Sequence, residues 1–341
     1  MRKIMNLPPL QATENENRLK TLKNTYSKAG LTMFLGIVAV YAVQIILSVV
    51  LNYFIDVGTI EKGNIYVNLL LSFLPMYVVC FPVMFLMMKK LPAKVPSVEK
   101  MGGKRFIAFL VMCFPIMYAG NLVGNILSAI LSGGQAENGL IDIISTLNPL
   151  TIITIVIIAP IFEELFFRKF IIDRTVKYGE KTAILFSGLC FGMFHMNLFQ
   201  FFYAFGLGLI FGYIYVRTGK VSYSTIMHMI INFIGSVVSM LALSQLDMDK
   251  LQSLTESGEF TAEALDEILP GLMIYGIYFL VYMLLVCIGV ALLIINRKKL
   301  VFMPSEEEVP AKAGIKLSLV NVGMILFMVV IVICMIINLI S

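Results

Sequence analysis

Apolar runs of about 20 residues, each enough to cross a bilayer as a helix, recur along the chain with charged stretches between them. The pattern predicts about nine spans, near residues 29–54, 65–88, 106–131, 149–172, 182–198, 199–217, 221–244, 271–296 and 317–340. The fifth is short and scarcely separated from the sixth. The expected fold class is therefore all-α, a polytopic bundle of membrane helices. A polar tail covers 1–28, and helices over 29–146 and 270–341 flank a central core at 147–244. Between core and C-terminal helices lies an acidic loop, 245–269, in which Phe260, Ala264 and Ile268 recur at helical spacing. That spacing fits a short interfacial helix, and a mobile loop fits as well. Residues 304–312, PSEEEVPAK, read as a polar linker.

Charge placement orients the bundle, because Lys and Arg mark the cytoplasmic side. Basic clusters stand in the tail (Arg2, Lys3, Arg18, Lys20, Lys23, Lys28), after the second span (Lys89 to Arg105), after the fourth (Arg168 to Lys177), at Arg217 and Lys220, and at Arg297 to Lys299. The intervening loops are acidic or neutral: Asp56 and Glu61, Glu137 and Asp142, then Asp247 to Glu267. The alternation predicts a cytoplasmic N-terminus, an external C-terminus and an odd number of spans.

Composition narrows the class. Of 341 residues, 59% are hydrophobic and 14% charged, against about 45–50% and 25% in soluble domains. That excludes a soluble protein and implies an integral membrane one, with the lipid bilayer as its solvent. The five cysteines (Cys80, Cys113, Cys190, Cys287, Cys334) fall in apolar runs without a CxxC pair, as buried small hydrophobes do. The first 28 residues hold no apolar run ahead of a cleavage site, so no signal peptide is expected. The net charge of +5 matters only through its placement, and no nucleic-acid partner is expected.

Against this apolar background a few polar residues stand out. APIFEELFFRKF, residues 159–170, sets Glu163 and Glu164 inside the fourth span, where a charge costs about 2.5–3.5 kcal/mol on insertion scales. Glu164 and Arg168 are spaced i, i+4 in the favourable order for an ion pair, leaving Glu163 as the free carboxylate. The chain has two histidines, both in apolar spans: His195 closes the fifth, and His228 shares a face of the seventh with Asn232. Gly188-x3-Gly192 and Gly208-x3-Gly212 would let helices pack closely. Counting residues from the helix ends puts Glu163, His228 and Asn232 at a common depth, whereas His195 comes out deeper. Taken singly, an ion pair can be a helix lock, a histidine an interhelical hydrogen bond, and Asn121, Asn125 or Asn232 helix glue. Their coincidence on successive helices favours chemistry.

A carboxylate, two imidazoles and an amide suit hydrolysis: Glu163 to take a proton from water, His195 to orient that water, His228 and Asn232 to donate to an oxyanion. No serine or cysteine nucleophile is indicated, and the HExxH zinc signature is absent.

These residues resemble the CAAX protease and bacteriocin-processing family, related to the Ras-converting CAAX prenyl endopeptidases. The resemblance rests on EExxxR (Glu163, Glu164, Arg168), FxxxH (Phe191, His195) and HxxxN (His228, Asn232), in that order, across about residues 147–240. It implies an intramembrane endopeptidase acting on a membrane-associated peptide or protein, lipidated or CAAX-like at its C-terminus. It further implies Glu163 as base, His195 as water partner, His228 and Asn232 as oxyanion donors, and Glu164, Arg168 and Phe191 in support. A bacterial cell membrane is the expected location, with the site opening toward the cytoplasmic half. Zinc on Glu163, His195 and His228 is the alternative; the metal-free glutamate mechanism is favoured because it employs Asn232 as well. From other classes, a bacteriocin-immunity protein, a scaffold or a transporter with a proton relay remain as readings, although paired broken spans typical of transporters are not seen.

Overall fold

The computed structural model describes residues 9–54, 65–96, 99–145, 147–258 and 261–340. Among these residues there is no strand, and the fold is an all-helical membrane bundle. The helices are α1 (Pro9–Phe54), α2 (65–89), α3 (Gly103–Ser132), α4 (Gly139–Ser145), α5 (Pro149–Tyr178) and α6 (Glu180–Phe194). They continue with α7 (Leu198–Thr218), α8 (Val221–Leu243), α9 (Met248–Ser257), α10 (Ala262–Asn296), α11 (Ala311–Leu319) and α12 (Val322–Ile340). Eight are long and apolar enough to cross a membrane. The remaining expected span, 182–198, is the 15-residue α6, which is shorter than a full crossing.

The core is built on α5–α8, with α6 and α7 as an antiparallel pair. Glycine is required at their crossing: a Cβ on Gly208 would stand 2.8 Å from Gly188 Cα, and one on Gly192 2.9 Å from the Phe201 carbonyl. α3 packs along α7, α10 along α3, and α1 against α2 and α12. The basic loops meet at one end of the bundle. There the Lys94 N–H donates to the Asp173 carbonyl at 2.6 Å and the Glu99 N–H to that of Arg217 at 3.2 Å.

Three segments differ from the sequence expectation. The N-terminal polar stretch is helical from Pro9, because Leu22, Tyr26 and Ala29 line one buried face amid the charges. The apolar run 317–340 is broken by Asn321, whose side-chain oxygen accepts the Met324 N–H at 3.0 Å and starts α12 anew. The acidic loop is mostly helical: α9 fills one part, and Thr261 caps α10 by accepting from Ala264 N–H at 3.2 Å. Ala264 and Ile268 thus belong to α10, while Phe260, Asp56 and Glu61 lie outside the described residues.

The 304–312 linker is a clamp. Glu307 and Val309 N–H groups donate to the carbonyls of Lys177 and Tyr178 at 3.0 and 3.2 Å. Arg18, near the chain start, donates to the carbonyls of Glu307 and Glu308 at 3.1 and 2.6 Å. Lys94 bonds Glu306 at 2.6 Å and holds that exposed carboxyl below the usual carboxylate range.

Candidate active site

Glu163 and Glu164 lie on a short α-helical segment of α5, Ala159–Glu164, between π-helical stretches Thr154–Ile158 and Leu165–Ile172. Further π stretches are Pro75–Cys80 in α2 and Phe233–Val238, which follows directly on Asn232 in α8. Such turns are rare and concentrate at functional sites, since they shift the register of side chains on either side.

The two glutamates have different surroundings. Glu164 is fully buried and accepts two hydrogen bonds from Arg168, Nε at 2.9 Å and Nη2 at 3.2 Å. Arg168, also fully buried, gives Nη1 to Ser187 Oγ at 2.8 Å, and its guanidinium lies 4.9 Å from the Phe191 ring centre. Ser187 in turn donates to the Phe167 carbonyl at 2.7 Å, so the cation is held from three sides. Glu163 is half-buried and, among the described residues, has no basic partner within ion-pair distance but a histidine. That histidine is His228. Its Nδ1 stands 3.3 Å from Glu164 Oε1 and its Nε2 3.8 Å from Glu163 Oε2. Since Arg168 keeps Glu164 an acceptor on both oxygens, Nδ1 carries the proton shared with Glu164, and Nε2 faces Glu163.

His195 follows α6 on a tight turn. Its Nδ1 donates to the Phe191 carbonyl at 2.9 Å, leaving Nε2 as the acceptor. The next residue, Met196, adopts a left-handed backbone (φ 56°), uncommon for a side-chain-bearing residue. Asn338 of α12 anchors its carbonyl at 3.0 Å. Asn197 then caps α7, accepting the Gln200 N–H at 2.8 Å. The depth mismatch expected for His195 is resolved by α5 and α6. Glu163 lies 178 − 163 = 15 residues before the end of α5, and α6 spans 15 residues before His195.

Glu163, His195, His228 and Asn232 line one cavity of about 590 Å3. Phe191 sits beside both imidazoles, 5.0 Å from the His195 ring and 5.6 Å from that of His228. Asn232 donates from Nδ2 to the Ile155 carbonyl in the Thr154–Ile158 π stretch at 3.0 Å, tying α8 to α5 with one of its two N–H bonds. Two wall residues were not singled out from sequence. Gln200 donates to the Tyr203 hydroxyl at 2.8 Å, and both face the cavity; the signal available was the Asn197 cap, which starts a helix directly after His195. Of the asparagines in α3, Asn121 lines the cavity, while Asn125 donates to the Asn121 carbonyl at 2.8 Å.

The zinc alternative was weighed on the donors themselves. Among the described residues no three His, Cys, Asp or Glu side chains converge as metal ligands. Glu163 Oε2 and His228 Nε2 stand 3.8 Å apart.

Comparison with known proteins covers the stretch of chain that carries these residues. The family model for type II CAAX prenyl endopeptidase Rce1-like proteins matches residues 145–234, which contain every residue named in the three motifs. The putative membrane peptidase YdiL of Bacillus subtilis is 27% identical over 168 residues, 46% of this chain and 66% of YdiL. The membrane-embedded CAAX protease MroQ of Staphylococcus aureus is 30% identical over 184 residues, 50% of this chain and 71% of MroQ. The chain thus spans just under two thirds of the first relative's length and somewhat more of the second's. No solved structure matches. With the matched segment covering α5 to the middle of α8, where the buried glutamates and both histidines meet, the chain belongs to the CAAX protease family.

Proposed function

We propose that the protein is an intramembrane endopeptidase that hydrolyses a peptide bond of a membrane-associated substrate with water activated by Glu163. The observation that carries this reading is His228 held between the two glutamates, 3.3 Å from the arginine-paired one and 3.8 Å from the free one. The Glu163 carboxylate takes a proton from a water oriented by His195 Nε2. The resulting hydroxide adds to the scissile carbonyl carbon, and the proton passes from Glu163 to the leaving amine as the C–N bond breaks. Developing charge on the oxyanion is met by His228 Nε2–H and the second N–H of Asn232. With Glu163 ionised, before the proton transfer, Glu163, Glu164, Arg168 and a doubly protonated His228 sum to zero charge, and after it the neutral Glu163 leaves one positive charge to balance the oxyanion, which suits a site inside a membrane.

Glu164 and Arg168 act by positioning His228, and Phe191 by packing on both imidazoles. The cavity is large enough for a few substrate side chains, and the mixed lining suits an extended peptide entering from the bilayer. No metal is required by this arrangement. The cavity is lined by Asn138, Ile141, Ser239 and Leu243, from the end of the bundle opposite the basic loops, so its lining does not support the expected opening toward the cytoplasmic half.

Mass spectrometry of membrane peptides from cells carrying wild-type or Glu163→Gln protein tests the proposal. Peptides with new termini in the wild type should be absent in the variant, which should still fold and express. Near-normal cleavage by Glu163→Gln would rule out Glu163 as the base.

A further inference from the structure

A second cavity, about 600 Å3, lies at the basic end between α3, the α6–α7 pair and the end of α10. Its size is that of an ordinary small-molecule site, and no residue lines both this cavity and the active-site one. Its walls are apolar: Phe109, Met112, Ile184, Leu209, Tyr213 and Leu293. The cavity exists because α10 makes its main contacts with α3 while the chain beyond it crosses back to the hairpin. There the Val301 N–H donates to the Tyr213 hydroxyl at 3.3 Å and the Met303 N–H to Glu180 Oε2 at 2.8 Å.

Four exposed cations rim it: Arg105, Lys181, Arg297 and Lys299. Among the described residues only Arg105 has a carboxylate within ion-pair distance, Glu99 at 3.7 Å. The other nearby acid, Glu180, is committed to Arg217 and the Met303 N–H. Lys181 lies over the Phe302 ring at 5.0 Å instead of over a carboxylate. Three of the four rim cations thus stand without a carboxylate partner among the described residues, on top of an apolar hole.

The geometry points to a binding site for one anionic phospholipid, its phosphate among these four cations and an acyl chain in the cavity. A soluble phosphate would leave the apolar walls unfilled. An acidic peptide would bring backbone N–H and C=O groups into walls that satisfy few of them, at a cost of about 1–3 kcal/mol each. A lipid meets both halves, and basic pockets between membrane helices are built for such headgroups.

The chain has no tryptophan, so Phe109→Trp in the cavity wall gives a single fluorescent reporter. In phosphatidylcholine nanodiscs, acyl-brominated phosphatidylglycerol should quench it at a several-fold lower mole fraction than brominated phosphatidylcholine. Replacing Lys181, Arg297 and Lys299 by Gln should erase that preference. Phe279→Trp, on an exposed part of α10 away from the cavity, should show no preference. Equal quenching by both lipids, survival of the preference in the triple variant, or the same preference at position 279 would each overturn the assignment. Loss of the preference on adding inorganic phosphate would instead mark a soluble-anion site and equally overturn it. Should Phe109→Trp fail to fold, Leu293→Trp serves as reporter from the opposite wall.

Discussion

Arg168 and Glu164 are joined by two hydrogen bonds, 2.9 and 3.2 Å long, with neither side chain exposed. Breaking such a pair from one side strands the other charge, at about 3–5 kcal/mol. Arg168→Ala should therefore lower the melting temperature in detergent as well as activity. Arg168→Lys should rescue little, since an ammonium lacks the flat fork that reaches both carboxylate oxygens and Ser187. A wild-type melting curve for Arg168→Ala would remove the pair from the account of the fold.

Asn232 gives one N–H to the Ile155 carbonyl, and in the proposed mechanism the other serves the substrate. Asn232→Ala should cost about 10²–10³ in turnover, the usual effect of losing one oxyanion donor. Its stability loss should stay near the 0.5–1.5 kcal/mol of a single hydrogen bond. Substrate binding should be nearly unchanged, because the donor acts on the intermediate. An effect confined to KM would point to a purely structural asparagine.

Metal dependence separates the two mechanisms weighed for this donor set. Exhaustive dialysis against a chelator should leave wild-type activity intact. Stoichiometric zinc in purified protein, with chelator-reversible loss of activity, would overturn the glutamate mechanism. Asn232→Ala should not alter metal content in either case.

Topology is open to direct labelling. Single cysteines at Lys100 and Lys220, both among the basic loops, should react with a membrane-impermeant reagent only from the cytoplasm. A cysteine at Glu256, on α9, should react only from outside. Labelling of position 256 from the cytoplasm would invert the bundle.

Much of the site was legible because polar residues are conspicuous in hydrocarbon. Glu163, Glu164, Arg168, His195, His228 and Asn232 are set in apolar stretches, and the structure brings all six to one place. Gln200 and Tyr203 were not legible, since they sit beside the 195–198 turn where polar residues are unremarkable. The depth of His195 could not be read from a span of uncertain ends; it depended on α5 running on to Tyr178. The buried face of α1 before residue 29 was hidden by averaging over charges that point the other way, and the end of α10 shows its basic rim only once α3 and α6 are placed beside it.

The clamp at 305–309 also bears on the order in which the molecule assembles. Arg18 meets Glu307 across 289 residues, and the Gly323 N–H reaches Ser27 Oγ at 3.1 Å across 296. α1 precedes the α5–α8 core in the chain, yet its contacts with the clamp and with α12 are available only once residues 305–324 have emerged. Through most of synthesis, then, it stands in the membrane beside an unfinished α5–α8 core with that flank bare. Closing so long a loop is slow in principle, and a chain cut short before residue 305 would leave the first helix permanently without that seat. Quality control in the membrane could read that bare flank as the mark of an incomplete molecule.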